Sequence, residues 1–123
     1  MRFNIIAVVA LALLAGCATP PPAEPGSAAS KVVSMGKLNN IVVGAMRVAR
    51  ENGFLTVNVQ LSNTSFNNKT LYYRFAWLGP EGFPVGEEET WKSLTLYGTQ
   101  TSFLPAIAPL ASAVDFRLEI KTP

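Results

Sequence analysis

Hydrophobic and polar residues alternate along three segments of the chain, a period-two pattern that is typical of β-strands with one buried face. The segments are residues 55–62, 71–77 and 114–121. The sequence therefore predicts three strands whose inward-facing side chains form a core. These side chains are Leu55, Val57, Val59 and Leu61; Leu71, Tyr73, Phe75 and Trp77; and Val114, Phe116, Leu118 and Ile120.

Weaker strand patterns occupy most of the remaining sequence after residue 30, and they cover residues 32–35, 41–50, 92–97 and 99–106. Asn52-Gly53 predicts a hairpin, and the Gly-Pro-Glu-Gly sequence at 79–82 predicts a turn. No segment has a helical period. We therefore expect residues 31–123 to form one all-β domain. It should be an antiparallel sandwich of about seven strands, of the immunoglobulin or fibronectin type, with Trp77 between the sheets. A small barrel is the alternative.

The first residues predict an export leader. Arg2 gives a positive start, and residues 3–14 are apolar apart from Asn4. This run is about a dozen residues long, whereas a membrane-spanning helix needs roughly 20. The next feature is a match to the lipobox of bacterial lipoproteins, formed by Leu14, Ala15, Gly16 and Cys17. We predict cleavage of a signal peptide at residues 1–16 and attachment of a lipid to Cys17. An ordinary secretory signal followed by a chance cysteine is the alternative.

The residues after Cys17 predict where the lipid-anchored protein resides. Ala18, rather than Asp, follows the cysteine, and by similarity to enterobacterial sorting rules this indicates the periplasmic face of the outer membrane of a diderm bacterium. Residues 17–30 are rich in Pro and Ala. Because such a segment buries little apolar surface, we expect a disordered, extended tether. A proline-rich ligand for a partner is the alternative interpretation.

Composition argues against several classes of function. Lys and Arg number 10 against 8 Asp and Glu, and no basic block is present, so nucleic acid is not an expected partner. The chain has no His and a single Cys, which excludes Ser-His-Asp and Cys-His catalysis and histidine metal sites. The run Glu87-Glu88-Glu89 does not converge on an extended chain, because successive side chains alternate in direction. We interpret this run as solvated, and we expect no catalytic residue, metal or cofactor.

Several longer segments resemble the YcfL-like family of predicted periplasmic lipoproteins, whose function is uncharacterised. The resemblance extends from about residue 55 to the C-terminus and rests on residues 59–65, 73–77, 91–94, 108–109 and 113–118, with Gly82 and Val85. Leu78-Gly79 stands where an acidic turn residue is expected, and Lys92 where Arg is usual. The resemblance implies a lipid-anchored β-sandwich at the outer membrane and provides no active site to transfer.

The candidate interaction surface consists of Tyr72, Arg74, Trp91 and Lys92. Tyr72 and Arg74 alternate with the inward-facing residues of their strand, so they should lie on an exposed sheet face. Trp91 follows the acidic run beside a cation, an arrangement common in binding hot spots, although the pattern favours a core position for it. On the last predicted strand, Asp115 and Arg117 share a face and should form a modest surface ion pair.

The leading interpretation is a non-enzymatic interaction module that presents a sheet face or edge to a periplasmic protein partner. That partner would be an envelope-building enzyme or an envelope-spanning assembly. The alternative is a small-ligand or glycan binder that uses Trp91, Tyr97 and Phe83 as a stacking surface. An enzymatic role has the least support, because the chain lacks His, a free thiol and converging acids.

Overall fold

The protein folds into seven strands in a computed structural model that describes residues 31–123. The predicted signal peptide, the lipobox with Cys17 and the predicted tether lie outside the described residues. The strands are β1 (Val32–Met35), β2 (Ile41–Glu51), β3 (Phe54–Asn63), β4 (Lys69–Leu78), β5 (Lys92–Leu96), β6 (Thr101–Ile107) and β7 (Asp115–Lys121). Each predicted strand is present, with end positions that differ by a few residues.

The strands form two sheets, one with the order β1-β7-β4-β5 and the other with the order β2-β3-β6. This arrangement confirms the predicted all-β sandwich rather than the small barrel. One pair departs from the antiparallel expectation, because β1 runs parallel to β7. The chain leaves β1 for the opposite sheet, so β1 is not joined to its neighbour by a hairpin and its direction is free of the antiparallel constraint.

The core lies between the two sheets and is built from the alternating residues of β3, β4 and β7. Trp77 is 2% exposed, as predicted, and its ring stacks on that of Phe75 at a centroid distance of 5.5 Å. Phe116 of β7 packs against both rings at 6.2 and 6.4 Å. Each such side chain contributes about 1.5–3 kcal/mol when fully buried, so this aromatic group and the aliphatic residues around it stabilise the sandwich together.

The start of the last strand differs from the prediction. Val114 is 46% exposed, whereas Ala113 is fully buried. The strand begins at Asp115, so the alternation does not extend back to Val114. The predicted Asp115–Arg117 pair is also wrong as the main contact, because Asp115 binds the Lys31 ammonium group at 2.5 Å instead. Lys31 immediately precedes β1, which is the parallel neighbour of β7. The local sequence pattern does not predict that these two strands are neighbours.

The loops divide between the two ends of the sandwich. The amide end, named for its asparagines, comprises loops 36–40, 64–68 and 97–100 together with residues 122–123. The acidic end comprises the turn at 52–53, the segment 79–91 and the segment 108–114. Lys31 lies at the acidic end, since β1 runs parallel to β7 away from Asp115. In the described part of the chain, no helix has the length and apolar character needed to cross a membrane.

Candidate interaction surface

The outer face of the four-stranded sheet carries the polar residues of β4 and β7 that alternate with the core. The register pairs Arg74 with Glu119 and Tyr72 with Lys121 across the antiparallel β4–β7 ladder. Residues that lie directly opposite each other in neighbouring strands project from the same face. Two cations, a carboxylate and a phenol ring are therefore neighbours on this face, and their positions are fixed by regular strands.

Trp91 lies over this outer face and is half-buried. The centroid of its ring is 4.3 Å from the guanidinium carbon of Arg74 and 4.1 Å from the Nζ atom of Lys121. Both distances are within the range in which a cation is attracted to the face of an aromatic ring. The expected core position of Trp91 is therefore wrong. The aromatic group around Trp77 already fills the interior, and Trp91 packs its apolar surface on the side chains of two cations instead.

Arg74 is held on both sides by carboxylates. Its Nε atom donates to Glu119 Oε2 at 2.9 Å, and its Nη1 atom contacts Glu88 Oε1. The side chain of Arg74 is 17% exposed. The hydrogen bond with Glu119 is the main reason that the pKa of Arg74 lies above its ordinary value, and the charge of Glu88 acts in the same direction. Arg74 is therefore a fixed cation in one orientation under all ordinary conditions.

The acidic run is more than the solvated segment that we predicted. Glu89 accepts a hydrogen bond from the backbone nitrogen of Phe75 at 3.1 Å and another from the indole nitrogen of Trp77 at 2.9 Å. Strand β5 pairs with β4 only as far as Tyr73, so the edge of β4 beyond that point lacks a strand partner on this side. The Glu89 carboxylate takes over that role for Phe75. As expected from the alternation, Glu88 and Glu89 contact different groups.

Lys92 lies apart from the other members of the predicted surface. It pairs with Tyr73, whose side chain faces the core, so Lys92 is on the side of β5 that faces the opposite sheet rather than on the outer face. Strand β5 is at the edge of its sheet. Its Nζ atom is 3.8 Å from Glu89 Oε1. The structure therefore brings Tyr72, Arg74 and Trp91 to one face and places Lys92 outside this group. We call Tyr72, Arg74, Trp91 and Lys121 the cation–indole surface.

Sequence reasoning missed Lys121, Glu88 and Glu119 as members of this region. The alternation in β7 places Lys121 and Glu119 on the outward face. However, nothing in the local pattern identifies β4 as the neighbour of β7.

A cleft of about 330 Å³ lies beside Arg74, between Glu119 and the segment 84–88. In the described residues, no group of three His, Cys, Asp or Glu side chains could hold a metal ion.

The aromatic residues of the predicted ligand surface do not converge. Phe83 lies in the turn at the acidic end, where its carbonyl accepts from the Gly79 nitrogen at 2.8 Å. Tyr97 lies at the amide end, beyond the full length of β5 from Trp91. The three rings therefore cannot stack on one ligand. The direction of the strands decides at which end of the sandwich each ring lies. The sequence pattern does not predict this direction for residues so far apart in the chain.

Comparison with known families gives a match over nearly all of the described chain. The family described as "Protein of unknown function (DUF1425)" matches residues 30–122. The chain belongs to this family. No characterised protein with a curated description matches the chain.

Two solved structures are similar to this DUF1425 protein. The crystal structure of Campylobacter jejuni cj0090 has a TM-score of 0.67 and 29% sequence identity, covering 76% of this chain and 98% of that chain. The crystal structure of a DUF1425 family member from Shewanella sp. pv-4 has a TM-score of 0.63 and 32% identity, covering 68% of this chain and 78% of that chain. Both support the sandwich fold.

Proposed function

We propose that this DUF1425 protein is a non-enzymatic outer-membrane lipoprotein that uses its β-sandwich as an interaction module. The single observation that carries the proposal is the cation–indole surface on the outer face of the four-stranded sheet. There, Trp91 lies within 4.3 Å of Arg74 and within 4.1 Å of Lys121.

The chemistry of the surface fits a protein partner. Trp, Tyr and Arg are the residues most enriched among those that dominate binding energy at protein interfaces. Arg74 is oriented by Glu119 and Glu88, so little side-chain entropy remains to be lost when a partner binds. The candidate partner is a periplasmic protein, either an envelope-building enzyme or part of an envelope-spanning assembly.

The proposed location rests on the leader sequence. Leu14, Ala15, Gly16 and Cys17 supply the lipobox, and the residues that follow supply a Pro-rich tether. A diacylated cysteine satisfies the two-chain requirement for stable membrane anchoring. The finer family resemblance to YcfL-like lipoproteins is in line with this assignment. We propose that the domain is held at the periplasmic face of the outer membrane.

The interaction can be tested by site-specific photo-crosslinking of the full chain in cells. A photoreactive residue at Arg117, on the outer face of β7, should give one defined protein adduct. The same residue at Asn58, on the outer face of the opposite sheet, should give none. Trp91→Ala should abolish the adduct while thermal unfolding stays cooperative. An adduct that persists in Trp91→Ala, or that forms at Asn58 alone, would overturn the assignment of this surface.

The anchor can be tested separately by mass spectrometry of the protein purified from membranes. The expected species begins at Cys17 and carries a diacylglyceryl group on its sulfur. A retained leader, or a cysteine without lipid, would remove the basis for the outer-membrane location and leave the crosslinking result to stand alone.

A further inference from the structure

The amide end of the sandwich contains a polar cavity, which begins where the Tyr72 and Lys121 end of the cation–indole surface stops. Its volume is about 300 Å³, and it is lined by Asn39, Asn68, Lys69, Thr70, Thr122 and Pro123. Side-chain amides and hydroxyl groups both donate and accept hydrogen bonds, and the ammonium group adds a positive charge. This size is at the lower end of that of small-molecule sites. A ligand that matches the lining must offer hydroxyl, amide and anionic groups together.

Two strongly exposed aromatic side chains belong to loops of the amide end and are close to Asn68, which lines the cavity, in sequence or in strand register. Phe66 is 91% exposed and Tyr97 is 61% exposed. The last β4–β5 pair joins Lys69 to Leu96, so continuation of the register by one residue places Tyr97 opposite Asn68. Phe66 is only two residues before Asn68. Exposed rings of this size are costly to keep in water, and they are typical of surfaces that stack on a ligand.

The two aromatic-bearing loops are fastened to each other rather than loose. The buried Asn63 amide nitrogen donates to the carbonyls of Asn67, Leu96 and Tyr97 at 2.7–3.1 Å. Asn68 Oδ1 accepts from the Gly98 nitrogen at 3.1 Å. A rigid loop pair holds its exposed rings in place before a ligand arrives, which lowers the entropy cost of binding.

Two of the three non-glycine residues with positive φ in the described chain are at the same end, and the third, Asn52, is in the hairpin turn at the acidic end. Thr99 has φ +62° and Asn40 has φ +62°, both in the left-handed region. This conformation is uncommon for any residue with a side chain and is a true outlier for a β-branched one. The Thr99 nitrogen donates to the Ser65 carbonyl at 2.8 Å, so the strain is held by the loop junction itself. Strained residues of this kind cluster at binding sites.

Charge separates the two ends of the domain. The acidic side chains Glu51, Glu81, Glu87, Glu88, Glu89 and Asp115 are at the acidic end or at the strand termini that border it. The loops of the amide end contain no Asp or Glu, and Lys37 and Lys69 lie there. The field at the amide end therefore favours an anionic ligand.

Chain direction places the amide end away from the point where the preceding residues join. Lys31 is at the acidic end, and β4 spans ten residues between the two ends. At about 3.3 Å per residue, the ends are roughly 30 Å apart. If residues 1–30 carry the anchor, as the proposed function holds, a tethered domain can direct its amide end away from the membrane.

We infer that the amide end binds a glycan of N-acetylated amino sugars that bear carboxylates, the chemistry of the bacterial cell wall. The apolar face of a pyranose ring packs on Phe66 or Tyr97. The acetamido and hydroxyl groups pair with Asn39, Asn68 and the threonine hydroxyls, and a carboxylate pairs with Lys69. The orientation of the amide end relative to the membrane rests on the proposed function. The assignment of the binding site does not. A polar cavity at the same end of the domain as the exposed aromatics favours a sugar over a lipid surface, which needs no such recess.

The test is calorimetric titration of the full chain, purified in detergent, with the disaccharide of N-acetylglucosamine and N-acetylmuramic acid. Saturable binding is expected. Phe66→Ala and Tyr97→Ala should each weaken it by about tenfold, the upper end of what one aromatic contact contributes. The matched control is Phe83→Ala, which removes a similarly exposed ring at the acidic end and should leave binding unchanged. Thermal unfolding of each variant checks that the loops remain folded.

A second ligand separates the contribution of charge. The uncharged dimer of N-acetylglucosamine should bind with an affinity that Lys69→Gln does not alter, whereas Lys69→Gln should weaken binding of the muramic acid disaccharide. The absence of saturable binding to either sugar would overturn the inference, as would an equal loss in Phe83→Ala. So would Phe66-dependent binding to phosphatidylglycerol vesicles without sugar binding. Trp91→Ala should leave sugar binding intact, so failure here and failure of the proposed protein interface are distinguishable.

Discussion

The carboxylate of Glu89 accepts a hydrogen bond from the indole nitrogen of Trp77 at 2.9 Å. Trp77 is a core residue of β4, whereas Glu89 belongs to the irregular segment that leads to β5. The same carboxylate accepts from the backbone nitrogen of Phe75. One side chain from a loop therefore completes the hydrogen bonding of both a buried ring and an incomplete sheet edge.

Removal of the Glu89 carboxylate should destabilise the fold. We expect Glu89→Ala to lower the free energy of unfolding by about 2–3 kcal/mol, because it leaves two partly buried donors without an acceptor. Glu89→Gln retains one oxygen acceptor and should have an intermediate effect. Urea denaturation measures both values. The control is Glu87→Ala, which removes an exposed carboxylate from the same run and should change stability by less than about 0.5 kcal/mol. Equal effects of Glu87→Ala and Glu89→Ala would contradict the structural role.

Asn63 should be indispensable to the geometry of the amide end. Its Nδ2 atom donates to three carbonyls, and its Oδ1 atom accepts from the nitrogen and hydroxyl of Ser65. Asn63→Ala should cost about 2–4 kcal/mol, since it leaves several buried polar groups without partners. Relative to the wild type, Asn63→Ala should speed hydrogen exchange at the Ser65 amide more than at core amides of β3. Asn67→Ala, on the exposed part of the same loop, is the control and should leave the Ser65 exchange rate unchanged.

Gly98 should tolerate no side chain, for a steric reason. A Cβ atom at this position would lie 2.2 Å from the carbonyl oxygen of Phe66, which belongs to the backbone and cannot rotate away. Gly53 has open space around its Cβ position but a φ of +83°, so its restriction is conformational. Gly53→Ala should cost about 1 kcal/mol. Gly98→Ala should lower the melting temperature more than Gly53→Ala does. The reverse order would show that the two loops are less closely packed than described.

The Lys31–Asp115 pair should make stability depend on acid pH. Partial burial acts to raise the pKa of Asp115, but hydrogen bonds from Lys31 and from the Phe116 nitrogen outweigh it, so the pKa is lowered. The pair therefore stabilises the folded state above the ordinary Asp pKa of about 4, and this contribution is lost as the pH falls through the lowered folded-state value. The loss should not exceed about 1 kcal/mol, because the carboxylate is partly solvated.

Chemical denaturation of the wild type and of Asp115→Asn at pH 7 and at pH 3 measures this contribution. The variant should be less stable than the wild type at pH 7, and the difference should shrink at pH 3. Arg117→Gln is the matched control, because Arg117 lowers the pKa of Asp115 only through its charge, which is the smallest of the contributing causes, and its removal should leave most of the pH dependence in place. A difference between Asp115→Asn and the wild type that stays constant with pH would contradict the assignment.

The strand pattern carried most of the fold information because alternation is local. A strand that buries one face must place an apolar residue at every second position, so β3, β4 and most of β7 could be read directly. The pattern failed at Val114, where the chain is still irregular and alternates by chance. It also underestimated Glu89, because a polar residue in a loop gives no sign of which buried donor it will meet.

The candidate surface shows the same division. Tyr72 and Arg74 lie on the outer face, as their alternation in β4 predicts. Trp91 joins them as a candidate surface residue, although the pattern favoured the core for it, and Lys92 does not. Both lie where the segment 79–91 meets β5, so strand alternation does not yet fix their direction. Lys121 could be added only once β7 was known to pair with β4. The contact partner of Asp115 likewise depended on the parallel β1–β7 pair.

By itself, the sequence determined that the domain is all-β and which side chains of β3, β4 and most of β7 face its interior, and it predicts a leader that ends in a lipobox. Periodicity and short contiguous motifs carry that information, and both are properties of neighbouring residues. Tertiary structure alone decided that Trp91 lies on Arg74 and Lys121, that Glu89 accepts a hydrogen bond from Trp77, and that the loops of Phe66 and Tyr97 meet at the end of the sandwich that holds the polar cavity. These contacts join residues that are distant in the chain, and they depend on strand order and direction, which no local pattern encodes.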